Sequence, residues 1–158
     1  MNGIKNGPLE RWTYKDSAEL YGVHEWAAGY FDVSEKGEVV VKPKGAAGAA
    51  VSLMDIVGGL KARGLNAPVL LRFGDILESR IAVINEAFGR VMRESGYKGE
   101  FRGVYPVKVN QQEHVIEEIV NFGRRYHHGL EVGSKAELIA AMAYMQDPDA
   151  FLICNGYK

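Results

Sequence analysis

From Pro68 onward, short apolar runs alternate with helix-forming stretches, and nothing else in the sequence constrains its fold as tightly. Pro68-Val69-Leu70-Leu71-Arg72-Phe73 reads as a strand, and Asp75 to Ser95 as a helix with Ile81, Ile84, Phe88 and Met92 near one face. Phe101 to Val109 reads as a second strand and Gln111 to Phe122 as a second helix. His128 to Val132 is a third strand, Ser134 to Met145 a helix, and Phe151 to Cys154 a fourth strand. Strands joined through helices by short connections predict parallel β/α units. Parallel sheets are normally covered on both faces, and a complete (β/α)8 barrel takes about 250 residues. The 158 residues hold too few such units, so the chain is expected to be a fragment carrying the first four barrel strands.

The first 45 residues have a different texture. Trp26 to Val33 is aromatic-rich, Lys36-Gly37 is a turn signal, and Val39-Val40-Val41 is a β-branched run ended by Pro43. That pattern predicts β-structure with a hairpin near Glu35-Lys36-Gly37, after one or two helical turns within Thr13 to Tyr21 that start from the Asp16/Ser17 region. Lys44 to Ala50 is small and Gly/Ala-rich and reads as a linker. Leu53, Ile56, Val57 and Leu60 then recur at helical spacing behind Ser52, a suitable cap. The expected organisation is therefore a β-rich leader over residues 1–45 and β/α units over residues 46–158.

A net charge of −1, with acids and bases interspersed, provides no electrostatic case for nucleic acid or an anionic membrane. Met1 to Arg11 lacks an apolar signal core, and no apolar run is long enough to span a bilayer. A cytoplasmic protein is the expectation. One cysteine excludes an internal disulfide or a multi-cysteine metal site, and Cys154, inside Phe151-Leu152-Ile153-Cys154, is expected as a buried core thiol. His127 and His128 are adjacent and on a strand would face opposite ways. His24 and His114 lack partners at metal-binding spacing. No metal ligand is assigned.

The segment Val104-Tyr105-Pro106-Val107-Lys108-Val109-Asn110-Gln111 carries the chemistry. It sets a lysine near the C-terminal end of an apolar strand, the end that bears the active site in β/α barrels. Desolvation can neutralise such an amine and make it a nucleophile toward an aldehyde. A lysine snorkelling out of a strand end would look the same from these residues alone.

The whole segment, followed by the apolar pair Val115-Ile116, resembles the pyridoxal-phosphate attachment motif of the ornithine/diaminopimelate/arginine decarboxylase group. The wording Tyr-Pro-Val-Lys-Val-Asn-Gln looks most like the biosynthetic arginine decarboxylases. Other segments agree in order: Trp26 to Phe31 with Gly37 and Val39 to Pro43, then Pro68 to Leu77, Gly129 to Leu138 and Cys154 to Lys158. Ala27, Ala28 and Val132 depart mildly from the pattern.

The resemblance implies an alanine-racemase-like barrel with a separate β-domain. It also implies that Lys108 holds pyridoxal 5′-phosphate as a Schiff base, with Glu131 near the imine and Glu137 near the cofactor. Glu137 equally fits a plain capping arrangement, Ser134-Lys135-Ala136-Glu137. Further implications are decarboxylation of L-arginine to agmatine for polyamine synthesis, a magnesium requirement with no ligand identifiable here, and a homo-oligomer with shared active sites. No phosphate-binding loop or partner for the pyridine nitrogen can be identified in this chain. An ornithine or diaminopimelate enzyme is an alternative. So is a non-catalytic cofactor-binding relative, although single-barrel relatives of that kind lack a β-rich leader.

Overall fold

The computed structural model describes residues 11–45 and 48–156. Residues 1–10, Ala46 and Ala47 of the linker, and Tyr157 and Lys158 of the final segment lie outside the described residues. The chain divides into two compact units, residues 1–72 and 73–158, each with mixed α/β structure.

In the first unit, Thr13 opens α1 (Tyr14–Leu20) with a reciprocal cap. Its amide donates to the Asp16 carboxylate at 2.6 Å, while its hydroxyl accepts from the Asp16 amide at 3.5 Å. α2 (Val23–Trp26) is one further turn. The aromatic stretch expected as β therefore begins as helix, with the Trp26 indole donating to the Tyr21 carbonyl at 3.1 Å. Strand structure starts at β1 (Phe31–Val33), which pairs antiparallel with β2 (Val39–Val41), as the hairpin signal predicts. Gly37 closes the turn at φ +78°, a conformation that costs a glycine little. A short β3 (Val51–Ser52) adds to the other side of β2. Ser52 then caps α3 (Leu53–Ala62), its hydroxyl accepting from the Met54 and Asp55 amides at 3.1 and 3.4 Å. Ala18, Val23, Ala27 and Val33 form the core here, with Tyr14 and Phe31 packed against them.

Residues 68–73, expected as the first barrel strand, form no strand, and Leu70 is 73% exposed. A strand is held by ladder bonds to a neighbour. The apolar run has none, and Pro68 brings no amide to a ladder.

The second unit opens with α4 (Gly74–Ser95) and continues β4 (Val104–Pro106), α5 (Glu113–Gly123), β5 (Gly129–Val132), α6 (Lys135–Tyr144) and β6 (Leu152–Cys154). The three strands are parallel, in the order β4-β5-β6. The alternation anticipated in the sequence is present over this stretch, with three strands rather than four. Tyr105, Leu130 and Leu152 share one row of the sheet, and Pro106, Glu131 and Ile153 share the next. Successive residues face opposite sides of a strand. Leu130 and Val132 accordingly turn to the helices, where they join Ile81, Val107, Val115, Ile116, Ile119 and Ala141 in the core. On α5, Val115, Ile116 and Ile119 make the apolar stripe expected of a helix lying on a sheet.

Gly129 is dictated by a close approach. An added Cβ would collide with the Phe151 carbonyl, whose oxygen accepts from the Leu130 amide at 3.0 Å. Cys154 is exposed, against the expectation of a core thiol. It ends β6, which has a strand on one side only among the described residues. Among those residues, no helix is long and apolar enough to cross a membrane.

Candidate active site

Parallel pairing brings the C-terminal ends of β4, β5 and β6 to one side of the unit. Each strand then runs directly into a candidate residue or its loop. Past Pro106 the chain leaves the sheet in a 3-10 turn, Val107–Val109, which carries Lys108. The expected strand over Phe101 to Val109 is thus shorter, and Lys108 sits just beyond its end. Val107 is buried in the core and anchors the turn, while Lys108 is exposed. Among the described residues, the Lys108 amine makes no hydrogen bond or ion pair. Asn110 shapes the exit from the turn: its amide donates to the Val107 carbonyl at 3.2 Å, and its side chain accepts from the Gln112 amide at 3.1 Å.

Glu131 lies on the face of β5 opposite the helices and is 8% exposed. Its Oε1 is buried with no hydrogen-bond partner. An unmet buried oxygen costs about 1–3 kcal/mol, so it marks a place where the fold alone does not satisfy the side chain.

Glu137 stands in the first turn of α6, half-buried. Its amide donates to Ser134 Oγ at 3.1 Å, the capping bond expected from Ser-Lys-Ala-Glu. Its Oε2 accepts from the Gly133 amide at 2.7 Å, and its Oε1 accepts from Gln111 Nε2 at 3.0 Å. Both oxygens are therefore engaged. No direct contact joins Lys108, Glu131 and Glu137 among the described hydrogen bonds and ion pairs. They share the same end of the sheet and the loops that leave it. A groove lined by Val107, Gln111, Ile116, Glu137, Ala141 and Tyr144 opens beside them, and neither Lys108 nor Glu131 lines it. Asn155 also lies at this end, its amide donating to the Val132 carbonyl at 2.8 Å.

Two features escaped the sequence reading. Gln111 lies inside the motif, but its partner Glu137 is 26 residues away. At the opposite end of the sheet, before β5 and β6, His127 Nδ1 lies 2.9 Å from Asp147 Oδ2. The ligand atoms of His127, Asp147 and Asp149 all lie within 4.8 Å of one another. The Asp149 amide holds the Asp147 carboxyl below its usual range, and His127 adds to that. This group reads as a polar contact closing two loops. The next residue, His128, packs against Gly103 and Gly123, where a Cβ would collide with it. Its Nδ1 is buried without a partner, and burial pushes its pKa down.

No family model matches the sequence. The chain is 51% identical over 150 residues to the biosynthetic arginine decarboxylase of Gloeobacter violaceus, covering 95% of this chain and 23% of that protein. It is 51% identical over 147 residues to that of Prochlorococcus marinus, covering 93% of this chain and 23% of that protein. Among solved structures, the biosynthetic arginine decarboxylase SpeA of Campylobacter jejuni superimposes with a TM-score of 0.80 at 38% identity. That match covers 87% of this chain and 23% of SpeA. The chain thus spans about a quarter of the length of the relatives it matches.

Proposed function

This chain is related along nearly its whole length to biosynthetic arginine decarboxylases, and from that premise we propose that it is the N-terminal part of an enzyme converting L-arginine to agmatine and CO2. On this reading, Lys108 holds pyridoxal 5′-phosphate, Glu131 stabilises positive charge beside it, and Glu137 serves cofactor binding through the loop it orders. Residues 46–158 form the first part of the cofactor-binding barrel. Residues 1–45 belong to a β-domain completed further along the longer protein. A cytoplasmic homo-oligomer with shared active sites and a magnesium requirement complete the proposal, with no residue of this chain assigned to magnesium.

One observation carries it. At the C-terminal end of a parallel sheet stand an exposed amine with no ion pair, on Lys108, and a buried carboxyl oxygen with no protein donor, on Glu131. The pair suits an aldehyde-bearing group. A free amine can attack an aldehyde, and a carboxylate favours the positive charge that a protonated nitrogen then carries. Pyridoxal phosphate bound there supplies an electron sink for the pair released as the substrate carboxylate departs as CO2. Lys108 fixes where that sink lies, and Glu131 keeps the nitrogen end of the site protonated. The loops after β4 and β5 set the walls.

The test uses the full-length protein. Borohydride reduction followed by proteolysis is expected to leave the cofactor on the peptide containing Lys108. Release of CO2 from arginine is expected to be much faster than from ornithine, lysine or diaminopimelate. A guanidinium donates two parallel hydrogen bonds to one carboxylate, and a shorter amine leaves that carboxylate partly unpaired. Equal or higher kcat/KM for ornithine would overturn the arginine assignment. Cofactor binding without any decarboxylation would instead indicate a non-catalytic relative.

A further inference from the structure

We propose that Gln111 is a positioning residue, which through Glu137 locks the turn carrying Lys108 to the loop that follows Glu131. The inference rests on the reading that Lys108 carries the cofactor, and it deepens that reading with a residue to which no role has been given.

The geometry comes from how Glu137 spends its two oxygens. In an ordinary capping box, the third helical residue returns one carboxylate oxygen to the amide of the cap itself. Here Ser134 caps α6, but Glu137 Oε2 reaches one residue further back, to the Gly133 amide at 2.7 Å. That leaves Oε1 pointing to Gln111 Nε2 at 3.0 Å. Capping the helix needs neither of these bonds, since Ser134 Oγ already accepts from the Glu137 amide at 3.1 Å. The second joins two segments that are distant in sequence but both bear on the site. Gln111 lies three residues after Lys108, and Gly133 lies two residues after Glu131.

The rest of the turn is tied locally. The Asn110 amide bonds to the Val107 carbonyl, the Gln112 amide to the Asn110 side chain, and the Tyr105 hydroxyl to the Asn110 carbonyl at 3.4 Å. Those bonds shape the turn without relating it to β5. Val107 holds it from below by packing in the core with Leu130 and Val132. The Gln111–Glu137 bond adds a polar tie on the far side of Lys108, and so restrains where the Lys108 amine stands relative to Glu131. A carboxylate accepting from a neutral amide is a charge-assisted bond, stronger than a neutral pair.

The experiment is a swap in the full-length holoenzyme. Gln111→Glu places a second carboxylate against Glu137. It is expected to lower kcat about tenfold, the equivalent of losing one hydrogen bond to a charged group, with KM for arginine little changed. It should also shift the pH midpoint of the visible absorption of the lysine-bound cofactor, since that midpoint reports the surroundings of the Lys108 nitrogen. Gln111→Ala, which removes the donor without adding charge, should move both readouts in the same direction. The double variant Gln111→Glu with Glu137→Gln restores a donor–acceptor pair and keeps an oxygen for Gly133. It is expected to recover both kcat and the pH midpoint. If the single variants leave both unchanged, or if the swap recovers neither, the lock is overturned while the Lys108 assignment stands. A borohydride label on a lysine other than Lys108 in the unaltered protein would overturn both.

Discussion

Replacing Glu131 by leucine should make the cofactor-free protein more stable and the enzyme inactive. Glu131 is 8% exposed, lies between Pro106 and Ile153 in one row of the sheet, and keeps Oε1 buried without a partner. Its methylenes are already out of water, so leucine adds little apolar burial. The gain comes from removing an unmet acceptor, about 1–3 kcal/mol, and apolar replacement of imperfectly paired buried polar groups is often stabilising by similar amounts. Chemical denaturation of the cofactor-free full-length protein, wild type against Glu131→Leu, reads the difference, and an arginine decarboxylation assay on the same samples reads the function. The expected result is a higher unfolding midpoint together with loss of turnover. That combination identifies a side chain kept for chemistry at a cost in stability. A fall in stability of more than about 1 kcal/mol would mean that the oxygen is held by a protein donor, since breaking such a bond carries that penalty. Undiminished turnover would remove Glu131 from the site.

Gly129→Ala puts a methyl group into the Phe151 carbonyl, which is backbone and cannot swing away. It is expected to cost about 3 kcal/mol or more, seen as a lowered denaturation midpoint or failure to accumulate folded protein. His128 offers a pH test. Burial lowers its pKa below the ordinary 6.5, so the unfolded chain binds more protons than the folded one below that pH. Its contribution is then present above about pH 6.5 and lost as pH falls through the folded pKa. The unfolding midpoint should decline over this range in wild type and more gently in His128→Gln. Equal slopes would refute the assignment. The depressed carboxyls Asp16, Asp32 and Asp147 contribute in full above their ordinary value of 3.8 and lose that contribution only as pH falls below it, outside that window.

Much of the second unit was legible in the sequence because its signals are local. α5 follows from periodic apolar residues, α6 from the Ser134 cap, and β5 from Leu130 and Val132 alternating about Glu131 between turn residues. The segment around Lys108 was legible as a motif for the same reason, its residues being neighbours in the chain. The run at residues 68–73 shows the limit. It has the composition of a strand and forms none, because a strand exists only where another backbone offers it a ladder. Cys154 fails likewise: whether a thiol on β6 is covered depends on what stands beside that strand.

By itself, the sequence determined the alternation of helix and strand, the capping of α3 and α6, and a lysine motif at a strand end. Each rests on contacts within a few residues, where spacing specifies geometry. Only the tertiary structure decided that Lys108 lies past the strand in an exposed turn, and that Glu131 turns away from the helices with an unmet oxygen. It alone decided that Glu137, bonded to the Gly133 amide, also reaches Gln111 across 26 residues. Those facts depend on the register of parallel strands and on which face of β5 meets the helices, and pairing between distant segments, which no local spacing encodes, sets both.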